Sequence, residues 1–396
     1  MMTGVALSHA VALLDKLEIA MLDLTKINKK NIESSAGTSG ADTIAIITAR
    51  DNIASGLATQ IRMNTGMEVT QLNSYFCNMI DGKSIPPCDY IIIDLEDFND
   101  ISSIEQKIKF LFPITTKKIF VGDTDSIRFC NEMARIGTVY LHLESQMLMV
   151  GNALKKVNEI SEASSYTQKI SVIGCKGGSG TSLIAWKLFK SFSELSNFPI
   201  LLIQGHTGTP DLDLIADTSL ARDGVITHLN EYQGIKIATE EELWQFDAPD
   251  YRNYNIVIFD HNVTTQVRDK LTLIVPGSDF MFIVVTRELA SVRNARLIID
   301  EFERISPTPE RAKELSKNII ILNENHLPKP DELSNEDIED YLGKKIDIFH
   351  SYLKDMKQTN KNTSIHDFTM KMLGIKDKNK SSGKKKVLRF PFIFKK

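Results

Sequence analysis

The sequence predicts an α/β protein made of two consecutive parallel-sheet domains, and three observations carry that prediction. Short runs rich in Ile, Val and Phe recur along the chain, separated by stretches of helical periodicity, which is the pattern of βαβ units. A glycine-rich turn, Cys175-Lys-Gly-Gly-Ser-Gly-Thr-Ser182, joins one such run to a helical stretch, where α/β sheets place ligands. The length of 396 residues suits two or three domains, and 42% apolar with 25% charged residues is ordinary for a globular chain.

Composition excludes several classes. The four cysteines (Cys77, Cys88, Cys130, Cys175) lack zinc or redox spacing, so reduced thiols in a cytoplasm are expected. No apolar run approaches the roughly 18 residues of a membrane span. The start has no basic region of the signal-peptide kind and carries Asp15, Lys16 and Glu18. Net charge is −4, but residues 376–396 hold nine Lys/Arg and one Asp, a net of +8, leaving −12 for the rest. An acidic body does not suit wholesale nucleic-acid binding, whereas the basic tail suits anionic lipid, nucleic acid or an acidic partner.

The elements follow in order. Leu7, Ala10, Leu14, Leu17, Met21 and Leu24 alternate three and four apart, which predicts a helix within residues 1–30. Three heptads are the minimum for a coiled coil, so a helix packed on its own protein is the plainer reading. The Ser/Gly cluster of residues 31–41 reads as a linker. Residues 42–156 form the first α/β domain, with strands expected at 43–48, 90–94, 118–121 and 138–142. A polar stretch, 158–168, separates it from a second domain over 169–375. Its strands are expected at 169–174, 199–203, 254–260, 279–285 and 318–323, with helices carrying Ile184, Leu188, Phe192 and Leu195 and spanning 291–305. A basic aromatic tail, 376–396, closes the chain.

The glycine-rich turn carries the chemistry. Backbone N–H groups in a glycine loop that opens a helix form an anion cradle suited to a di- or triphosphate. The general pattern G-x-x-x-x-G-K-[ST] is missed twice, because Cys175 takes the first Gly position and Thr181 the Lys position.

Taken with its surroundings, Lys176-Gly-Gly-Ser-Gly resembles the signature-lysine P-loop of the ParA/MinD ATPase superfamily. Leu201 to Asp213 stands at the Asp-x-Asp switch, Ile256-Val-Ile-Phe-Asp260 at the Mg²⁺-site strand, and Ile321-Leu-Asn323 at the adenine-side strand. Ser291-Val-Arg-Asn-Ala-Arg296 matches the helix start after the fourth strand. The resemblance implies that Lys176 reaches the phosphates of a partner subunit, and that Gly177, Gly178, Ser179, Gly180 and Thr181 line the cradle. It further implies Mg²⁺ at Ser182 and Asp260, adenine beside Asn323, and ATP or ADP as ligand. Two departures weaken catalysis. Thr181 lacks the lysine charge, and Gln204 and His206 replace both switch carboxylates, leaving Asp260 and His206 as the only catalytic candidates.

The first domain resembles a receiver domain, with Asp94 where the phosphate-accepting carboxylate stands. A receiver also needs an acidic pair after its first strand and a lysine after its last. Thr48-Ala49-Arg50 and Leu143-Glu144-Ser145 stand there instead, so a degenerate receiver used for contacts is expected. A receiver-like domain before a ParA/MinD-like domain with a non-lysine P-loop resembles the TadZ/CpaE proteins of tight-adherence (Flp) pilus assembly. That resemblance implies a homodimeric localisation scaffold for pilus and secretion proteins, cytoplasmic or peripheral at the inner membrane or cell pole, with slow or absent ATP hydrolysis. The alternative is an active ATPase positioning cargo on DNA or membrane. The tail, with Leu388, Phe390, Phe392 and Phe394 alternating between lysines and Pro391 blocking a helix, suits weak anionic-membrane contact or packing on the protein itself.

Overall fold

The computed structural model describes residues 42–375, apart from 80–81, 165–166, 206–209, 241, 243–244, 265, 306–316, 328, 331, 353–363 and 374. The expected N-terminal helix, the linker after it, His206 and the basic tail lie outside the described residues.

Two α/β units follow one another. The first contains β1 (Thr43–Thr48), α1 (Asp51–Asn64), β2 (Glu68–Asn73), β3 (Tyr90–Asp94), α2 (Ile101–Leu111) and β4 (Lys117–Gly122). It continues with α3 (Ile127–Arg135), β5 (Val139–His142), α4 (Leu143–Gln146) and α5 (Val150–Ser164). Its sheet is ordered β2-β1-β3-β4-β5 and every pairing is parallel, the doubly wound order that reverses at β1/β3. The strands Ile-Ala-Ile-Ile and Tyr-Ile-Ile-Ile are buried because helices cover both faces, leaving no water-facing side to favour polar alternation. The edge strand β2, which the sequence reading did not include, has two half-buried residues, Val69 and Leu72, among exposed polar ones and so has no apolar run. The polar stretch read as a separator is helical to Ser164, as the end of α5.

The second unit contains β6 (Gln168–Gly174), α6 (Thr181–Leu195), β7 (Ile200–Gln204), α7 (Leu212–Ala216), β8 (Thr227–Asn230), β9 (Gln233–Ile237) and β10 (Ile256–Asn262). After these come α8 (Val267–Gly277), β11 (Phe280–Val285), α9 (Leu289–Ile305), β12 (Lys317–Asn323), α10 (Asn335–Leu342), β13 (Ile348–His350) and α11 (Ser364–Met372). The sheet order is β13-β12-β11-β6-β10-β7-β9-β8, parallel except for the β8/β9 pair. From β6 the chain winds to one side through β7, β8 and β9. It then returns to β10 beside β6 and continues on the other side through β11, β12 and β13. This reversal opens a crevice at the carboxyl end of β6. Short β8, β9 and β13 escaped the sequence reading because four, five and three residues give little periodicity.

The units meet at the amino-terminal edges of their sheets. Asn255, one residue before β10, donates from Nδ2 to the carbonyls of Lys109 and Phe112 at 3.3 and 2.9 Å. Its Oδ1 accepts from the Ile114 N–H at 2.8 Å. Lys83 donates to the Glu194 carbonyl nearby, and Phe110 of α2 packs within the core of the second sheet. The two carboxyl edges, where α/β proteins place ligands, therefore face away from each other.

Candidate functional site

The loop after β6 is set by backbone conformations that only glycine adopts freely. Gly178 and Gly180 have φ of +77° and +81°. Gly177 and Gly178 are exposed, and Gly180 caps α6 without a side chain of its own to occupy the helix N-terminus. The first-turn amides of α6 and its dipole therefore face the loop, an arrangement suited to an anion.

Around this cradle the predicted residues fall into distinct roles. Thr181 turns inward: its Oγ1 is 3.0 Å from Ser179 Oγ and packs against Gly174, where a Cβ would lie 2.1 Å from it. The residue at the lysine position thus contributes to loop structure and offers no charge to a phosphate. Lys176, half-exposed, forms an ion pair with Glu288 of its own chain, and this pairing holds the Glu288 carboxyl below its ordinary range. Cys175 is buried, and burial pushes its thiol well up, so it remains a neutral filler; its carbonyl accepts from Asn294 Nδ2 at 2.8 Å.

Asn323, expected beside adenine, is 3% exposed and clamps the loop. Its Nδ2 donates to the Ser179 carbonyl at 2.8 Å, and its Oδ1 is 2.9 Å from His350 Nδ1. Because Oδ1 can only accept, His350 carries its proton on Nδ1. Burial, with Lys187 nearby, pushes His350 down to about 4 and keeps the ring neutral. With both amide atoms engaged internally, Asn323 positions the loop in this arrangement.

Ser182 and Asp260 come together through Gln204. The Gln204 Nε2 lies 3.0 Å from Ser182 Oγ, 2.7 Å from Asp211 Oδ1 and 3.2 Å from Asp260 Oδ2. Its Oε1 accepts from the backbone N–H groups of Asp211 and Leu212 at 3.0 and 2.9 Å. Burial pushes the Asp260 carboxyl up to about 6, opposed by the hydrogen bonds from Ser182 and Gln204 and reinforced by Asp211. A divalent cation needs oxygen lone pairs converging on one point. Here the oxygens converge on an N–H₂ group, so the set as arranged fits an amide donor and does not fit Mg²⁺. No group of three or more His, Cys, Asp or Glu residues with metal-holding geometry occurs among the described residues.

The first unit's carboxyl edge is closed. Asp94, at the end of β3, is 1% exposed. Arg50 grips it through Nε to Oδ2 at 2.9 Å and Nη2 to Oδ1 at 2.7 Å. The Thr48 hydroxyl and the Glu96 N–H add bonds of 2.6 and 2.9 Å. Arg50 also reaches Asp123 at 2.6 Å. These contacts, Asp94 foremost, hold the guanidinium even further above its ordinary range. A guanidinium thus neutralises Asp94, and every lone pair a phosphodonor would meet is already occupied.

Sequence reasoning missed Arg50, Asp211, Glu288 and His350 as members of these sites. A signal existed for Arg50, a cation two residues past the end of β1, the strand beside the one that ends in Asp94. Glu288 and His350 sit on distant segments that only the fold brings to the loop.

No protein family and no curated protein matches the chain by sequence. Among solved structures, a ParA family ATPase from Chlorobium tepidum is similar at 18% identity, with a TM-score of 0.38 over 53% of this chain and 98% of that one. A chain of the MinC:MinD cell division protein complex of Aquifex aeolicus shows 18% identity and a TM-score of 0.40 over 52% and 96%. The septum site-determining protein MinD of Pyrococcus horikoshii, complexed with Mg-ADP, shows 13% identity and a TM-score of 0.38 over 52% and 95%.

Proposed function

We propose that the chain is a nucleotide-binding scaffold of ParA/MinD type, in which ATP or ADP stabilises a homodimer and hydrolysis is slow or absent. The observation that carries this reading is the β6–α6 loop. It has two left-handed glycines and an uncapped helix N-terminus, and no side-chain cation is free to act on a phosphate at the Thr181 position. Binding then rests on backbone amides, whereas phosphoryl transfer needs charge stabilisation that the loop does not supply. Lys176, on the rim, would exchange Glu288 for the phosphates of a second subunit.

The first unit acts in this reading as a degenerate receiver that offers contacts instead of a phosphate switch. Its support is the strand order together with the Arg50 grip on Asp94. A receiver-like unit docked beneath a P-loop unit favours the TadZ/CpaE-like role, localisation of pilus and secretion proteins at the inner membrane or cell pole. The tail of residues 376–396 would supply a weak contact with anionic lipid. No described helix is long and apolar enough to cross a membrane.

Gly177→Asp tests the nucleotide claim without disturbing the fold, since Gly177 is exposed and a Cβ there meets nothing within 4 Å. ADP and ATP should raise the melting temperature of the wild-type protein and leave that of Gly177→Asp unchanged, with equal ligand-free stability. No shift and no calorimetric heat in the wild type at millimolar nucleotide would remove the proposal.

A further inference from the structure

We propose that Gln204 takes the place of the divalent cation, so that this loop binds its nucleotide without Mg²⁺. The inference rests on the nucleotide reading above and deepens it.

Three features of the geometry support it. The amide orientation is fixed, because Oε1 accepts two backbone N–H groups, from Asp211 and Leu212. A flipped amide would set N–H₂ against N–H and oxygen against carboxylates. The N–H₂ end therefore points at Ser182 Oγ, Asp211 Oδ1 and Asp260 Oδ2, and its two hydrogens serve three acceptors within 3.2 Å. Gln204 is also held on its backbone side. It ends β7 in register with Asp260, its carbonyl accepts from Ala238 N–H at 2.9 Å, and it is 5% exposed.

Admitting a cation would mean rotating this side chain away. That would orphan the backbone N–H groups of Asp211 and Leu212. Mg²⁺ would further demand near-octahedral oxygen ligation with several retained waters, in a space the amide already fills. An amide donor satisfies the Asp211 and Asp260 oxygens but carries no net charge. Within one subunit the phosphates consequently draw on the loop amides and the α6 N-terminus, with or without metal.

The test is calorimetric titration of ADP into metal-stripped full-length protein, in EDTA and in millimolar Mg²⁺, with Mn²⁺ electron paramagnetic resonance as a second readout. The proposal expects dissociation constants that agree within about twofold in the two buffers. It expects no Mn²⁺ immobilised by the wild-type protein with saturating ADP. Gln204→Asp, which removes the amide hydrogens and adds a carboxylate, should make ADP binding at least about tenfold tighter with Mg²⁺ than without. Wild-type binding that tightens about tenfold in Mg²⁺, or Mn²⁺ immobilised stoichiometrically with ADP, would overturn the proposal and leave the nucleotide reading standing. Absence of ADP binding in both buffers would overturn both. The wild-type arms decide the matter even if Gln204→Asp fails to fold.

Discussion

Replacing Arg50 with alanine strands a buried carboxylate, and the structure allows the cost to be worked out. Asp94 is 1% exposed and loses two charge-assisted bonds, of 2.9 and 2.7 Å, when the guanidinium goes. Removing one partner of a buried pair costs about 3–5 kcal/mol. Two facts reduce this. The Arg50 side chain is 27% exposed, so water can enter its place, and Thr48 and the Glu96 N–H still serve the carboxylate. The expected loss is therefore about 2 kcal/mol, a fall of roughly 5–10 °C in the melting temperature of a unit this size. Thermal unfolding followed by calorimetry, comparing the wild type, Arg50→Ala and Arg128→Ala, measures it. Arg128, 88% exposed and paired with Glu132 on one helix face, should lose at most about 0.5 kcal/mol. If Arg50→Ala behaves like Arg128→Ala, the grip on Asp94 is not what stabilises that edge, and the closed-site reasoning fails.

Two further outcomes are expected. Gly174→Ala would drive a Cβ to 2.1 Å from Thr181 Oγ1, so it should destabilise by about 1–3 kcal/mol; in a Thr181→Ala background the same change should cost clearly less, which a denaturant double-mutant cycle reads. His350 is held down to about 4 by burial, below an unfolded value near 6.5. The stability it contributes is thus present above about pH 6.5 and lost as pH falls through about 4, and His350→Gln should flatten that acid limb by up to roughly 3 kcal/mol in chemical denaturation across this window.

Buried parallel strands announce themselves in the sequence because both faces are covered, so Ile44–Ile47, Tyr90–Ile93 and Phe280–Val285 read as apolar runs. Edge strands are legible only in part. In β2 the outer residues face water, and β13 is too short to show a period. The glycine-rich loop was readable because glycine at positive φ is a local requirement, visible at Gly178 and Gly180 without knowledge of the rest of the fold. The networks behind it were not. Asn323 reads as a ligand contact from its place at a strand exit, yet its amide is consumed by Ser179 and His350, residues brought near only by the sheet order. Likewise, Gln204 shows in the sequence as a missing carboxylate, while its hydrogen bonds to three oxygens appear only once β7 and β10 lie side by side.

Nucleotide held by the β6–α6 loop should persist without being turned over, and a single-turnover measurement shows whether it does. Gamma-labelled ATP is mixed with excess purified protein, the complex is separated from free nucleotide, and label in bound ATP and in released phosphate is followed over hours. Bound label should stay as ATP, with phosphate release no faster than from ATP in protein-free buffer. Complete conversion of the bound ATP to ADP and phosphate within minutes would contradict it.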